Sequence, residues 1–176
     1  MQSVIPVFIA SPNDVSNERK YAVEAVSNVS SKIASIYGIV LTPIRWEEFA
    51  PISSGEAINP QFNILKRIKS HSIFVGILHK RYGTKIPEMG DISGTESEFN
   101  HALEHRKNIE ILTYFKNVKN NNRLSNDEIE QLAGVNKLKL KLSRERKILH
   151  ATYTNAEEFR RRIVLDLFEA VLNFIL

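Results

Sequence analysis

The heptapeptide Ser72-Ile73-Phe74-Val75-Gly76-Ile77-Leu78 decides the fold. A strand with one wet face alternates apolar and polar residues. A nearly continuous apolar run of strand length is instead covered on both faces, as in a parallel sheet with helices above and below. The segment is predicted to be the central strand.

Working outward, Val4 to Ala10 is a second short run rich in β-branched and aromatic residues, closed by Ser11-Pro12-Asn13-Asp14. It reads as the first strand followed by a turn or helix cap. Val15, Ala22, Val26, Val29, Ile33 and Ile36 recur at helical spacing, and Gly38 stops that helix. Ile39 to Arg45 reads as a second strand, ending at Trp46-Glu47-Glu48 and a loop with Pro51, Ser53, Ser54 and Gly55. Asn59-Pro60 starts a short helix with Phe62, Ile64, Leu65 and Ile68 on one face. Beyond the central strand, a loop from Tyr82 to Gly94 leads to a helix from about Thr95 to Lys107 and a strand from Ile109 to Phe115. Ser125-Asn126-Asp127-Glu128 is a capping box that opens another helix. Leu138, Leu140 and Leu142 alternate with lysines as in a strand, yet Leu132, Val135, Leu138 and Leu142 keep helical spacing. The Lys, Leu, Arg and Glu content favours the helix. Ile148 to Thr152 is a last strand, and Asn155 caps a final helix with Phe159, Ile163, Leu167, Val171 and Leu172 as its stripe.

Strands and helices thus alternate about five times, which predicts an α/β three-layer sandwich of about five mostly parallel strands. Such sheets bind ligands outside the carboxyl ends of their strands, where the strand order reverses. The loops that qualify begin at Ser11, at Arg45-Trp46, at His79-Lys80-Arg81 and at Phe115.

Composition narrows the chemistry. The 176 residues suit one domain, and 43% hydrophobic with 25% charged residues is the balance of a globular protein. The chain has no cysteine, which excludes disulfides, thiolate metal sites and a cysteine nucleophile. The N-terminal residues lack the basic, apolar pattern of a secretion leader, and no stretch is long and apolar enough for a membrane span, so a cytoplasmic setting is expected. The net charge of +4 gathers in Lys137 to Lys147 and Arg160-Arg161-Arg162 without interleaved aromatics. These read as solvated helix faces, against a nucleic-acid partner. No Walker-type phosphate loop is present. Glu98, His101 and His105 share a helical face and could hold a metal, but no second cluster completes such a site, so no metal is expected.

Each candidate site residue carries two readings. Ser11 to Asp14 could hold a phosphate or ribose with backbone amides and hydroxyls, or Asp14 could simply cap a helix. Arg19 either pairs with a phosphate or lies on a solvated face. Arg45 and Trp46 end the second strand, where Trp46 could stack on a base or nicotinamide ring or cover the core edge. Tyr82 and Gly83 shape the loop beneath the pocket, Gly83 for its backbone. Glu96 and Glu98 are either favourable charges at a helix N-terminus, with Ser93 or Thr95 as cap, or a working carboxylate. A carboxylate suits N-glycosidic cleavage because it stabilises or traps an oxocarbenium-like ribose, and the first turn of a helix keeps it ionised.

Three segments together carry a resemblance: Val7-Phe8-Ile9-Ala10-Ser11-Pro12-Asn13-Asp14-Val15-Ser16-Asn17-Glu18-Arg19, Arg81-Tyr82-Gly83, and Ser93-Gly94-Thr95-Glu96-Ser97-Glu98-Phe99. They resemble an uncharacterised TIR-like family, usually found at the front of larger proteins that continue into a STAND-type NTPase or repeats. The resemblance runs through nearly the whole chain and implies a flavodoxin-like sheet. It also implies distant kinship with TIR domains and nucleoside deoxyribosyltransferase-like enzymes, which act at the glycosidic bond of nucleosides or nucleotides. In those relatives the catalytic glutamate stands four residues before a small residue that packs the helix on the sheet. Glu98 with Ala102 matches that relation, whereas Glu96 is followed at the same distance by Asn100. The tryptophan that many TIR enzymes carry just before the glutamate is replaced here by Gly94-Thr95.

The resemblance therefore implies a nucleotide substrate, most plausibly NAD, with Glu98 catalytic; the carboxyl-edge loops add Ser11, Asp14, Arg19, Arg45, Trp46, Tyr82, Ser93 and Thr95 as the expected substrate-binding residues. It implies no resident cofactor, and activity on homo-oligomeric assembly or under attached C-terminal sensor domains in immune or antiviral signalling. A non-catalytic signalling module and a nucleotide sensor are the alternatives. The apolar ending Leu172-Asn173-Phe174-Ile175-Leu176 fits both a docked terminal helix and an N-terminal domain excised from a longer protein.

Overall fold

A computed structural model describes residues 3–44, 72–86, 90–119, 123–145 and 148–176. The elements are β1 (Ser3–Ala10), a single 3-10 turn (Asn13–Val15), α1 (Ser16–Tyr37), β2 (Ile39–Ile44), β3 (Ser72–Leu78), α2 (Gly94–Glu104), β4 (Ile109–Lys116), α3 (Asn126–Leu140), β5 (Ala151–Tyr153) and α4 (Ala156–Ile175). The strands form one parallel sheet in the order β2-β1-β3-β4-β5. This is the flavodoxin-like order, with its switch point between β1 and β3. β3 is central and buried at every position, as its apolar run predicts.

Strand alternation sends the two faces of the sheet into two cores. Ile73, Val75 and Ile77 of β3 join Val7 and Ile9 of β1 against α1 and α4, including Ala22, Val26, Phe159 and Ile163. Phe74 and Leu78 join Phe8 and Ala10 against α2 and α3, including Phe99, Ala102, Val135 and Leu138. Gly76 sets how closely α2 approaches: a Cβ there would fall 2.0 Å from Phe99 Cζ. The Phe99 ring occupies that space and meets Phe74 edge-on, with centroids 4.9 Å apart. Ala102, one turn along, is fully buried on the same packed surface.

Several boundaries shift from the sequence expectation. The helix expected over 95–107 starts one residue earlier because Ser93 caps it, and ends at Glu104. The last strand covers Ala151–Tyr153 instead of beginning at Ile148. The 138–142 segment is helical: α3 continues into one π turn, Lys141–Glu145, with Leu138 and Leu142 buried and Leu140 half exposed. Both predicted caps hold, Ser125 with Glu128 as a reciprocal capping box and Asn155 accepting from the Glu158 amide. The Asn59-Pro60 helix lies outside the described residues. Among the described residues, no helix is long and apolar enough to cross a membrane.

A candidate ligand cleft at the switch point

The loops after β1 and β3 meet the first turn of α2 at the carboxyl edge of the sheet, where the strand order reverses. Between them lies a cleft of about 340 Å³, within the roughly 300–1,000 Å³ of ligand pockets. Ser11, Pro12 and Asn13 form one wall, Arg81, Gly83 and Thr84 a second, and Gly94 and Thr95 a third, with Gln131 of α3 closing it.

Each wall is held from beneath. The Arg19 guanidinium donates to Ser11 Oγ at 2.8 Å, to the Ser11 carbonyl at 2.7 Å and to the Pro12 carbonyl at 3.1 Å, fixing the turn after β1. Asp14 Oδ2 accepts from the backbone N–H of Lys80 at 2.9 Å and of Arg81 at 3.0 Å, so a residue near the first turn holds the loop after β3. His79 Nδ1 lies 3.6 Å from the same carboxylate oxygen. Burial holds the His79 imidazole below its ordinary value, against the opposing pull of Asp14. Gln131 Oε1 accepts from the Tyr82 and Gly83 amides at 2.9 and 3.2 Å. Gly83 has a φ of +104°, a backbone conformation that L side chains rarely adopt, and its open face lies against Thr95 Oγ1.

The third wall rests on a buried polar network. Ser93 caps α2 by accepting from the Glu96 amide at 3.1 Å. In a full capping box the Glu96 carboxylate would return to the Ser93 amide. It turns inward instead, accepting from the Tyr82 hydroxyl and, at 2.7 Å, from Lys141 Nζ. The Ser93 amide donates to the Tyr82 hydroxyl at 3.4 Å, so the tyrosine relays the missing half of the box. Burial and the bond to Glu96 push the Tyr82 hydroxyl up to about 12. Lys141, in the π turn, also donates to Asn100 Oδ1 at 2.9 Å. A Cβ on Gly134 would fall 2.6 Å from Tyr82 Cγ, so α3 can lie on this tyrosine only with glycine there. At the same edge Lys116 Nζ donates to the buried Glu18 carboxylate at 2.8 Å, tying β4 to α1.

The structure therefore distributes the predicted residues over three places. Ser11 and Thr95 line the cleft, while Tyr82, Ser93 and Asp14 lie behind its walls and Arg19 braces the first of them. Glu98 is on α2 three residues after Thr95, hence near the same helix face, partly buried and not among the lining residues. Because the helix begins at Gly94, Glu98 sits past the first turn, and Glu96 is the carboxylate within it, near the positive end of the helix dipole. Arg45 and Trp46 lie outside the described residues. Gln131 and Lys141 were missed by sequence reasoning because each reaches the site across more than forty residues of chain. Arg81 was visible within the Arg81-Tyr82-Gly83 segment.

A protein-family model described as Domain of unknown function (DUF4062) matches residues 6–167. A search of curated protein sequences returns no match. Among solved structures, apo translation elongation factor SelB from Methanococcus maripaludis superposes with a TM-score of 0.41 and 14% sequence identity. The alignment covers 95% of this chain and 34% of that one, and it is too loose to bear on function.

Proposed function

The chain belongs to the DUF4062 family, and we propose that it is a TIR-like domain whose switch-point cleft binds a nucleotide, NAD or a close relative, and hydrolyses it at the N-glycosidic bond. The convergence of Arg81, the hydroxyls of Ser11, Thr84 and Thr95, and the first turn of α2 around one cleft carries this reading. A guanidinium beside the positive end of a helix dipole favours a phosphate, and the hydroxyls suit ribose and phosphate oxygens. Asp14, Arg19, Gln131 and the Tyr82–Glu96–Lys141 network keep these groups in place before a ligand arrives.

Glu98 supplies the chemistry in this reading. As the bond from the ribose C1′ to the nicotinamide nitrogen breaks, the bonding pair leaves with nicotinamide as a neutral base. The carboxylate stabilises the oxocarbenium-like ribose, and water adds to C1′ and loses a proton, giving ADP-ribose. Glu96 is already held by Tyr82 and Lys141, which makes it a positioning residue. Assembly of several copies, or of attached sensor domains, would bring activity under control in a cytoplasmic defence response. A second reading, a nucleotide sensor without turnover, is favoured by one observation: Glu98 does not line the cleft.

Nicotinamide release from NAD by the concentrated chain, compared with Glu98→Gln, tests the proposal. Turnover that falls at least a hundredfold in the variant supports it. Turnover equal in both would exclude Glu98. NAD binding that raises the melting temperature without turnover would favour the sensor.

A further inference from the structure

We infer that the C-terminal end of α2 is a binding site for a divalent transition-metal ion of the zinc class, held by His101, Glu104 and His105. One ring nitrogen of each histidine and a carboxylate oxygen of Glu104 lie within 4.8 Å of one another. The sequence groups these histidines with Glu98, whereas the structure groups them with Glu104. His101 and His105 are four residues apart, which places them on one helix face, and their rings stack with centroids 4.3 Å apart. Successive residues of a regular helix point about 100° apart, so Glu104 and His105 would ordinarily diverge. His105 is the C-cap, with φ −104° and ψ 15°, and its departure from the helical path leaves both side chains within reach of His101.

Donors bonded to one tetrahedral zinc ion at about 2.0–2.2 Å stand about 3.4 Å apart. Glu104 and His105 are exposed and His101 is half-buried, so a change of side-chain torsions closes the set and leaves the fourth position to water. His105 Nδ1 lies 3.0 Å from the His101 carbonyl. A proton donated there leaves the lone pair on Nε2 and orients the ring, the usual way a ligating imidazole is fixed. Two imidazoles select a borderline ion over calcium or magnesium, which take oxygen ligands. The last turn of a helix is the negative end of its dipole and favours a cation. Arg106 and Lys107 follow in the chain, both exposed, where solvent and salt screen their repulsion. The ion would tie down the end of α2 opposite the one that carries Thr95 into the cleft.

Zinc titrated into the chelator-treated, ¹⁵N-labelled chain tests this assignment. The imidazole resonances of His101 and His105 are expected to shift and saturate at one equivalent, ahead of those of the other histidines. His105→Ala should weaken binding at least about tenfold, and Glu104→Gln a few-fold. Both residues are exposed, so both variants should fold as the unaltered chain does. Excess zinc should raise the melting temperature of the unaltered chain and not that of His105→Ala. Magnesium should shift none of these resonances. Absence of saturable binding at submillimolar zinc, an affinity indifferent to both substitutions, shifts led by the other histidines, or an equal response to magnesium would each overturn the proposal.

Discussion

Replacing Lys141 by methionine would remove the only cation that bonds the Glu96 carboxylate among the described residues, leaving a group 8% exposed with the Tyr82 hydroxyl as its donor. Stranding one member of a fully buried ion pair costs about 3–5 kcal/mol. Lys141 retains 24% side-chain exposure, so water compensates in part and a loss of about 2–3 kcal/mol is expected. Glu96→Gln is milder, about 1–2 kcal/mol, because the amide oxygen still accepts from Tyr82 and the lysine keeps Asn100 and solvent. In the double variant no charge is stranded, so a favourable coupling of at least about 1.5 kcal/mol should appear. Urea unfolding of the four proteins measures the cycle, with constant slopes as the control on denatured-state effects. Additive losses, or Glu96→Gln costing more than Lys141→Met, would refute the claim that this lysine neutralises a buried carboxylate.

Other outcomes follow from the same structure. Gly76→Ala should destabilise by about 1–3 kcal/mol through overpacking against the Phe99 ring, and Phe99→Leu in the same chain should recover part of it by urea unfolding. Asp14→Ala should free the Lys80 and Arg81 amides, cost about 1–2 kcal/mol and weaken nucleotide affinity together with stability, as seen by thermal shift with and without ligand. The folded-state value of His79 lies below 6.5, so its neutral form stabilises the fold at higher pH and that contribution is lost as pH falls through 6.5 toward the depressed value. Stability should therefore drop between about pH 7 and 5, and His79→Asn should flatten the slope, the remainder coming in part from His150.

The fold was legible where periodicity is local. The unbroken run of β3, the short apolar run of β1, the helical stripes around them, and the Ser125 and Asn155 caps all depend on residues within one strand or a few turns of helix. The carboxyl-edge rule then located the cleft, because parallel strands and their crossovers dictate where the order reverses. The site's interior was less legible. One residue of helix start moved Glu98 out of the first turn, and nothing local to Ser93-Gly94-Thr95-Glu96 announces that its carboxylate will find Tyr82 and Lys141. Arg19 had two open readings until the fold placed it on the Ser11 and Pro12 carbonyls. Likewise, the basic stretch from Lys137 to Lys147, read as a solvated face, contains one lysine committed to the buried network.

The claim on which the functional account depends is that the switch-point cleft binds a nucleotide. Titrating NAD into the ¹⁵N-labelled Glu98→Gln chain, so that turnover does not consume it, tests this directly. The amides of Ser11, Gly83 and Thr95 should shift together with one affinity, weakened about tenfold by Arg81→Ala through loss of a charge-assisted phosphate contact. No shift at millimolar NAD, or shifts gathered away from the cleft and indifferent to Arg81, would contradict it.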